Sequence, residues 1–130
     1  DPTATFTNSY WRPLTTISLA LGRSLSRRAG HACELCGESG SLKVVEVEPV
    51  LEEADDERAF MACQRCADLL GGGRLEARSL RFLETAIWNE VLPVQLTAVR
   101  LVHKLADDGT DWAREAIDGL YLDEAMQALI

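Results

Sequence analysis

No apolar run in this sequence approaches the ~20 residues that a helix needs to cross a bilayer, so no helical membrane span is expected. Basic residues are scarce as well. Thirteen Lys and Arg face 21 Asp and Glu, giving a formal net charge of −8 at pH 7. An extended nucleic-acid surface needs a basic face, and this balance disfavours one. The charge is also uneven: residues 1–32 carry +3, residues 33–66 carry −6 and residues 67–130 carry −5. No internal repeat with a 20–50-residue period is present, which excludes a solenoid. Gly71-Gly72-Gly73 is not followed by the Gly-Lys-Ser/Thr of a phosphate loop and reads as a flexible break. No secretory signal pattern is visible, and a cytoplasmic location is expected.

Cysteine is sparse but ordered. The four residues Cys33, Cys36, Cys63 and Cys66 form two CxxC pairs, CELC and CQRC, with 26 residues between them. A CxxC turn puts two thiols on one small knuckle, and two knuckles supply four soft sulfur ligands. One tetrahedral Zn²⁺ fits such a set with Zn–S bonds of about 2.3 Å. A Cys₄ shell leaves no position for water or substrate, so the expected ion is structural. Two disulfides, a redox CxxC and an iron–sulfur cluster are the alternatives for the same residues. The spacing exceeds the usual 15–20 residues, and the acidic stretch Glu52–Glu57 accounts for the excess.

Local patterns place these pairs in a fold. The segment Thr16–Arg28 has Ile17, Leu21 and Leu25 at helical spacing and ends before Gly30. Leu42–Val50 alternates and is rich in valine, which predicts a strand; Arg58–Ala62 predicts a second strand pairing back on it. Cys66–Leu70 starts a helix. Knuckle, hairpin and a second knuckle opening a helix is the order of a treble-clef zinc fold, and a plain zinc ribbon is the alternative. Further helices are predicted from Ser79 (Leu80, Leu83, Ile87 and Val91 on one stripe), from Pro93 to Ala106, from Thr110 or Asp111 onward, and at Glu124–Leu129. The expected architecture is therefore α+β and mainly α. A Cys₄ zinc ribbon or treble-clef hairpin (31–70) is flanked by an N-terminal helix (15–30) and a helical cluster (74–130), all in one domain over 15–130. Residues 1–14 read as a leader-like or tag-like segment outside it, although Tyr10 and Trp11 are suited to docking on the domain.

The combination of CELCG (33–37), VVEVEPV (44–50), CQRC (63–66), IWNEVLPVQLTAVRLVHKL (87–105) and DGLYLDE (118–124) resembles the PhnA-like family, named after a protein of phosphonate-utilisation operons. The resemblance covers roughly residues 21–125 and implies a zinc-binding domain; the operon name implies no enzyme activity. Similar proteins often continue into a small β-barrel-like domain; the sequence here ends at Ile130, and either it is cut short of that domain or this member lacks it. CELCG, a valine-rich strand and a CxxC opening a helix also resemble the metal-bound scaffold of HNH nucleases. Those enzymes carry a catalytic His pair in the first strand. Here the matching stretch is Val45-Glu46-Val47-Glu48-Pro49, and Ala67-Asp68 follows the second pair, so the general base is missing.

Other residues have plainer readings. Glu46 and Glu48 share a strand face, which suits either a second metal site or a solvent-facing edge alternating with buried valines; the edge is expected. His31 suits a hydrogen bond to a sulfur or a surface position at the helix exit. A lone His103 on a helix is expected to be packed or exposed. Trp88 and Trp112 are expected in the core or lining a groove. Arg23, Arg27 and Arg28 are expected at a solvated helix end, with a local phosphate contact as the alternative. The function expected from the sequence is a non-catalytic zinc-binding module that contacts a protein partner. A divergent HNH-derived nuclease or phosphonate-linked hydrolase, and a nucleic-acid-binding module, are the alternatives.

Overall fold

The computed structural model describes residues 11–14, 19–47, 58–70, 76–120 and 124–128. Helix predominates, and the strands form one small antiparallel sheet. In chain order the elements are β1 (Trp11–Leu14), α1 (Leu19–Ala29), β2 (Leu42–Val47), β3 (Ala59–Cys63), α2 (Gln64–Leu70), a 3₁₀ turn (Ala77–Leu80), α3 (Leu83–Ala86), α4 (Leu92–Asp107), α5 (Asp111–Asp118) and α6 (Glu124–Gln127). The acidic stretch at 52–57, the triple glycine, Ile17 and Glu48 lie outside the described residues.

The sheet order is β1-β2-β3, which makes β2 the central strand. β2 and β3 are a hairpin, with Val45 opposite Phe60 and Val44 opposite Met61. β1 pairs with the other edge of β2, Trp11 opposite Val47 and Leu14 opposite Val44. Four of the residues set apart as leader-like therefore belong to the sheet. The pattern of Trp11–Leu14 is too short, and interrupted by Pro13, to be read as a strand alone; pairing with the valine-rich β2 is what defines it.

Both faces of the hairpin are covered. Alternation sends Val45, Val47, Phe60 and Ala62 to one face, where they join the main core built by α2, α3, α4 and α5. Val44, Ala59 and Met61 go to the other face, where Leu21 and Leu25 of α1 pack on them. α1 is thus the amphipathic helix that its leucine spacing predicts, and it lies on the sheet. This changes the reading of Glu46. It lies on the α1 side of the central strand, opposite Ala59, and is 0% exposed rather than facing solvent. The sequence alternation was right, but the second face is roofed by a helix.

α4 is the core's main helix. Pro93 lies in its first turn, and Val94, Leu96, Ala98, Val99, Leu101, Val102 and Leu105 are buried, a wider apolar surface than one stripe. It ends, as expected, at Asp107-Asp108-Gly109. α5 starts after Thr110, whose extended backbone suits an N-cap although its side chain makes no capping bond. The helix expected from Ser79 is split. Ser79 lies inside the 3₁₀ turn, its hydroxyl donating to the Glu76 carbonyl at 3.1 Å, and only Leu83–Ala86 is α-helical. Leu80, Leu83 and Ile87 are buried all the same, because successive short turns preserve their common side. The segment closes where Asn89 Oδ1 accepts the Val91 N–H at 2.8 Å, a side-chain turn that interrupts helical bonding.

Candidate metal centre

The first knuckle is built from backbone turns. Gly30 closes α1, its N–H reaching the Ser26 carbonyl at 3.0 Å. Cys33 N–H then donates to the Glu38 carbonyl at 2.8 Å, and Gly37 N–H returns to the Cys33 carbonyl at 2.9 Å. Gly37 has φ +86, a left-handed conformation that strains most side chains, so glycine after the second thiol has a steric reason. The Cys36 N–H points at Cys33 Sγ, 3.5 Å away. The second pair straddles a junction: Cys63 ends β3 and Cys66 lies in the first turns of α2.

Two contacts carry the first knuckle to the second. Glu34 N–H donates to the Met61 carbonyl at 2.9 Å, and the Glu34 carboxylate accepts the Met61 N–H at 2.9 Å. The knuckle is thereby pinned beside the end of β3. As a result the four Sγ atoms lie within 4.8 Å of one another, with Cys36 and Cys63 Sγ 3.6 Å apart. All four cysteines are free thiols, and three are buried. A tetrahedron of thiolates about 2.3 Å from a central ion has sulfur–sulfur edges of about 3.8 Å. The cluster matches that scale, whereas a disulfide needs about 2.05 Å. It can hold a metal ion.

Without an ion, the sulfurs share charge unevenly. Hydrogen bonding to Cys66 draws the Cys33 thiol down to about 4; burial opposes this, and the backbone at Cys36, Cys63 and Leu35 assists. The same contact, then burial and the neighbouring thiols, pushes Cys66 well above the ordinary thiol range. Burial pushes Cys36 up, with the charge on Cys33 adding to it. One thiolate therefore forms at its neighbours' expense. Four thiolates at this spacing require a central cation, the ligand set a soft divalent ion takes. Arg65, the second inner residue of CQRC, lies against Cys36, which raises its guanidinium above the usual value, and stands 6.0 Å from the Phe82 ring centre.

The remaining candidates lie elsewhere. His31 is exposed, with φ +67. His103 is half-buried on α4. Trp88 is 55% exposed and so is not a core residue, while Trp112 is half-buried beneath the Arg81 guanidinium, 5.8 Å from its ring centre. Arg23 and Arg27 are exposed, but Arg28 is committed to an ion pair with Glu34. A cavity of about 280 Å³ adjoins the cluster, lined by Arg65, Cys66, Asp68, Leu80 and Phe82 among others; neither histidine nor Glu46 borders it. Sequence reasoning missed Glu34. Nothing in the residues around it marks it out, and only the distant contacts with Arg28 and Met61 give it a role.

Comparison with protein-family models, curated proteins and solved structures finds no match to this chain.

Proposed function

We propose that Cys33, Cys36, Cys63 and Cys66 bind one structural Zn²⁺, and that the chain is a non-catalytic, PhnA-like module that contacts a protein partner. The observation that carries this is the convergence of four free thiols from two knuckles within 4.8 Å. Such a set fills a tetrahedral ion's shell and leaves no coordination vacancy for a reactant, which is the pattern of structural rather than catalytic zinc. Bound there, the ion would cross-link the chain across 26 intervening residues and supply folding energy. Knuckle, hairpin, then a knuckle leading into α2 supports a treble clef over a zinc ribbon. Free thiols fit a reducing compartment, in keeping with a cytoplasmic location. Among the described residues, no helix is long and apolar enough to cross a membrane.

A protein partner suits the surface better than nucleic acid does. The net charge of −8 repels phosphate, and the basic trio at the end of α1 has one member engaged by Glu34. Exposed Trp88 is a residue type enriched at protein contacts. A nuclease-type second metal at Glu46 is disfavoured by the complete burial of that residue under α1. Elemental analysis with a thiol count is the test. One zinc per chain is expected, with four thiols reactive only after denaturation or chelation. Absence of metal, a pair of disulfides, or the visible absorption of an iron–sulfur cluster refutes the zinc assignment. Turnover of DNA, RNA or a phosphonate that depends on added Mg²⁺ or Mn²⁺ refutes the non-catalytic one.

A further inference from the structure

Glu34, an inner residue of the first CxxC turn, is held inside the protein. Its side chain is 5% exposed and receives three hydrogen bonds. Arg28 Nε donates to Oε2 at 2.7 Å, Arg28 Nη2 donates to Oε1 at 3.0 Å, and Met61 N–H donates to Oε1 at 2.9 Å. Arg28 Nη2 also donates to the Ala59 carbonyl at 2.8 Å. Two side chains therefore join three parts of the chain: the last turn of α1, the first knuckle, and β3 just before Cys63. The fork of a guanidinium against a carboxylate fixes angle as well as distance. The residues it fixes are next to Cys33 on one side and two before Cys63 on the other.

We infer that Arg28 and Glu34 form a positioning clasp that presets the distance between the two cysteine pairs and so sets the ion affinity of the cluster. This rests on the zinc reading above. Without the clasp, Cys33 and Cys36 reach Cys63 and Cys66 only by ordering a free knuckle when the ion binds, and that ordering is subtracted from affinity. With it, the knuckle is held before the ion arrives, and seating of α1 on the sheet becomes linked to ion occupancy. Outer partners of metal ligands commonly alter affinity by 10–100-fold when removed.

The test measures Zn²⁺ affinity of the full chain by competition with a chromophoric chelator. Glu34→Ala and Arg28→Ala should each weaken binding by about 10–100-fold, and the double variant no more than the weaker single, because the two side chains act as one unit. Glu34→Gln and Arg28→Lys, which keep shape but lose the paired charges or the fork, should fall between and serve if the alanine variants fail to fold. Ala113→Gly on α5 lowers thermal stability away from the cysteines and should leave affinity unchanged. Affinity within twofold of the parent in Glu34→Ala, losses that multiply in the double variant, or an equal loss in Ala113→Gly overturns the clasp alone. A parent chain that takes up no Zn²⁺ overturns the clasp and the zinc assignment together.

Discussion

On the zinc reading, stripping the ion with a chelator should loosen the knuckles while the helical cluster stays folded. At a free Zn²⁺ concentration about 1,000-fold above the dissociation constant, the ion stabilises the folded chain by about 4.1 kcal/mol. Chelation removes that contribution from every opening that frees the site. For a domain of this size, with a shift of roughly 4 °C per kcal/mol, the melting temperature should fall by about 16 °C. The two regions differ in what remains. The Cys33, Glu34 and Gly37 amides are held by single bonds to Glu38, Met61 and Cys33. Those amides should exchange faster without the ion, with the Arg28–Glu34 clasp leaving them partly protected. α4 retains Val94, Leu96, Val99, Leu101 and Val102, all fully buried and each worth about 1.5–3 kcal/mol of burial. Its amides should stay protected, at a reduced level. Hydrogen exchange read by NMR, with and without chelator, checks both. Melts and exchange that ignore the chelator would remove the ion from the account. Collapse of α4 protection along with that of the knuckles would show that the helical core does not stand without it.

Three further outcomes are expected. Cys63→Ser, which replaces a buried thiol 3.6 Å from Cys36 Sγ, should weaken the thiolate-to-metal absorption band of the Co²⁺-loaded protein, since one of four sulfurs is lost; an unchanged band would exclude Cys63 as a ligand. Phe60→Ala empties the centre of the hairpin's core face, where Phe60 is fully buried, and should cost about 3–5 kcal/mol in urea unfolding; a loss below ~1 kcal/mol would contradict that packing. Trp88→Ala should change stability by no more than about 0.5 kcal/mol, since the side chain is mostly in solvent, and should weaken partner binding if the exposed ring is a contact.

The cysteine cluster and most of the elements that hold it were legible because their signals are local. CxxC spacing, the glycines at 30 and 37, alternation from Leu42 to Val47, and proline in the first turn of α4 each act within a few residues. The described hairpin strands, α1, α4 and α5 follow those signals closely. What the sequence hid depends on contacts across the chain. β1 exists through pairing with β2, and nothing within Trp11–Leu14 announces it. Glu46 obeys the alternation that suggested a wet edge, yet α1 covers that side. The stripe from Leu80 to Ile87 carried the right buried residues on the wrong backbone, since hydrophobic spacing near 3.5 fits a chain of tight turns as well as a continuous helix. Glu34 became informative only when its carboxylate was seen against Arg28 and Met61.

Gly30 and His31 both adopt left-handed backbone, with φ of +61 and +67, directly before the first cysteine turn. The chain reverses there within two residues, so no slack separates the helix axis from the sulfurs. Inserting a single residue between positions 30 and 33 would swing both thiols away from their partners. A longer linker, neutral in most surface loops, would therefore be disruptive here, even though it leaves every ligand, and every apolar side chain, in place.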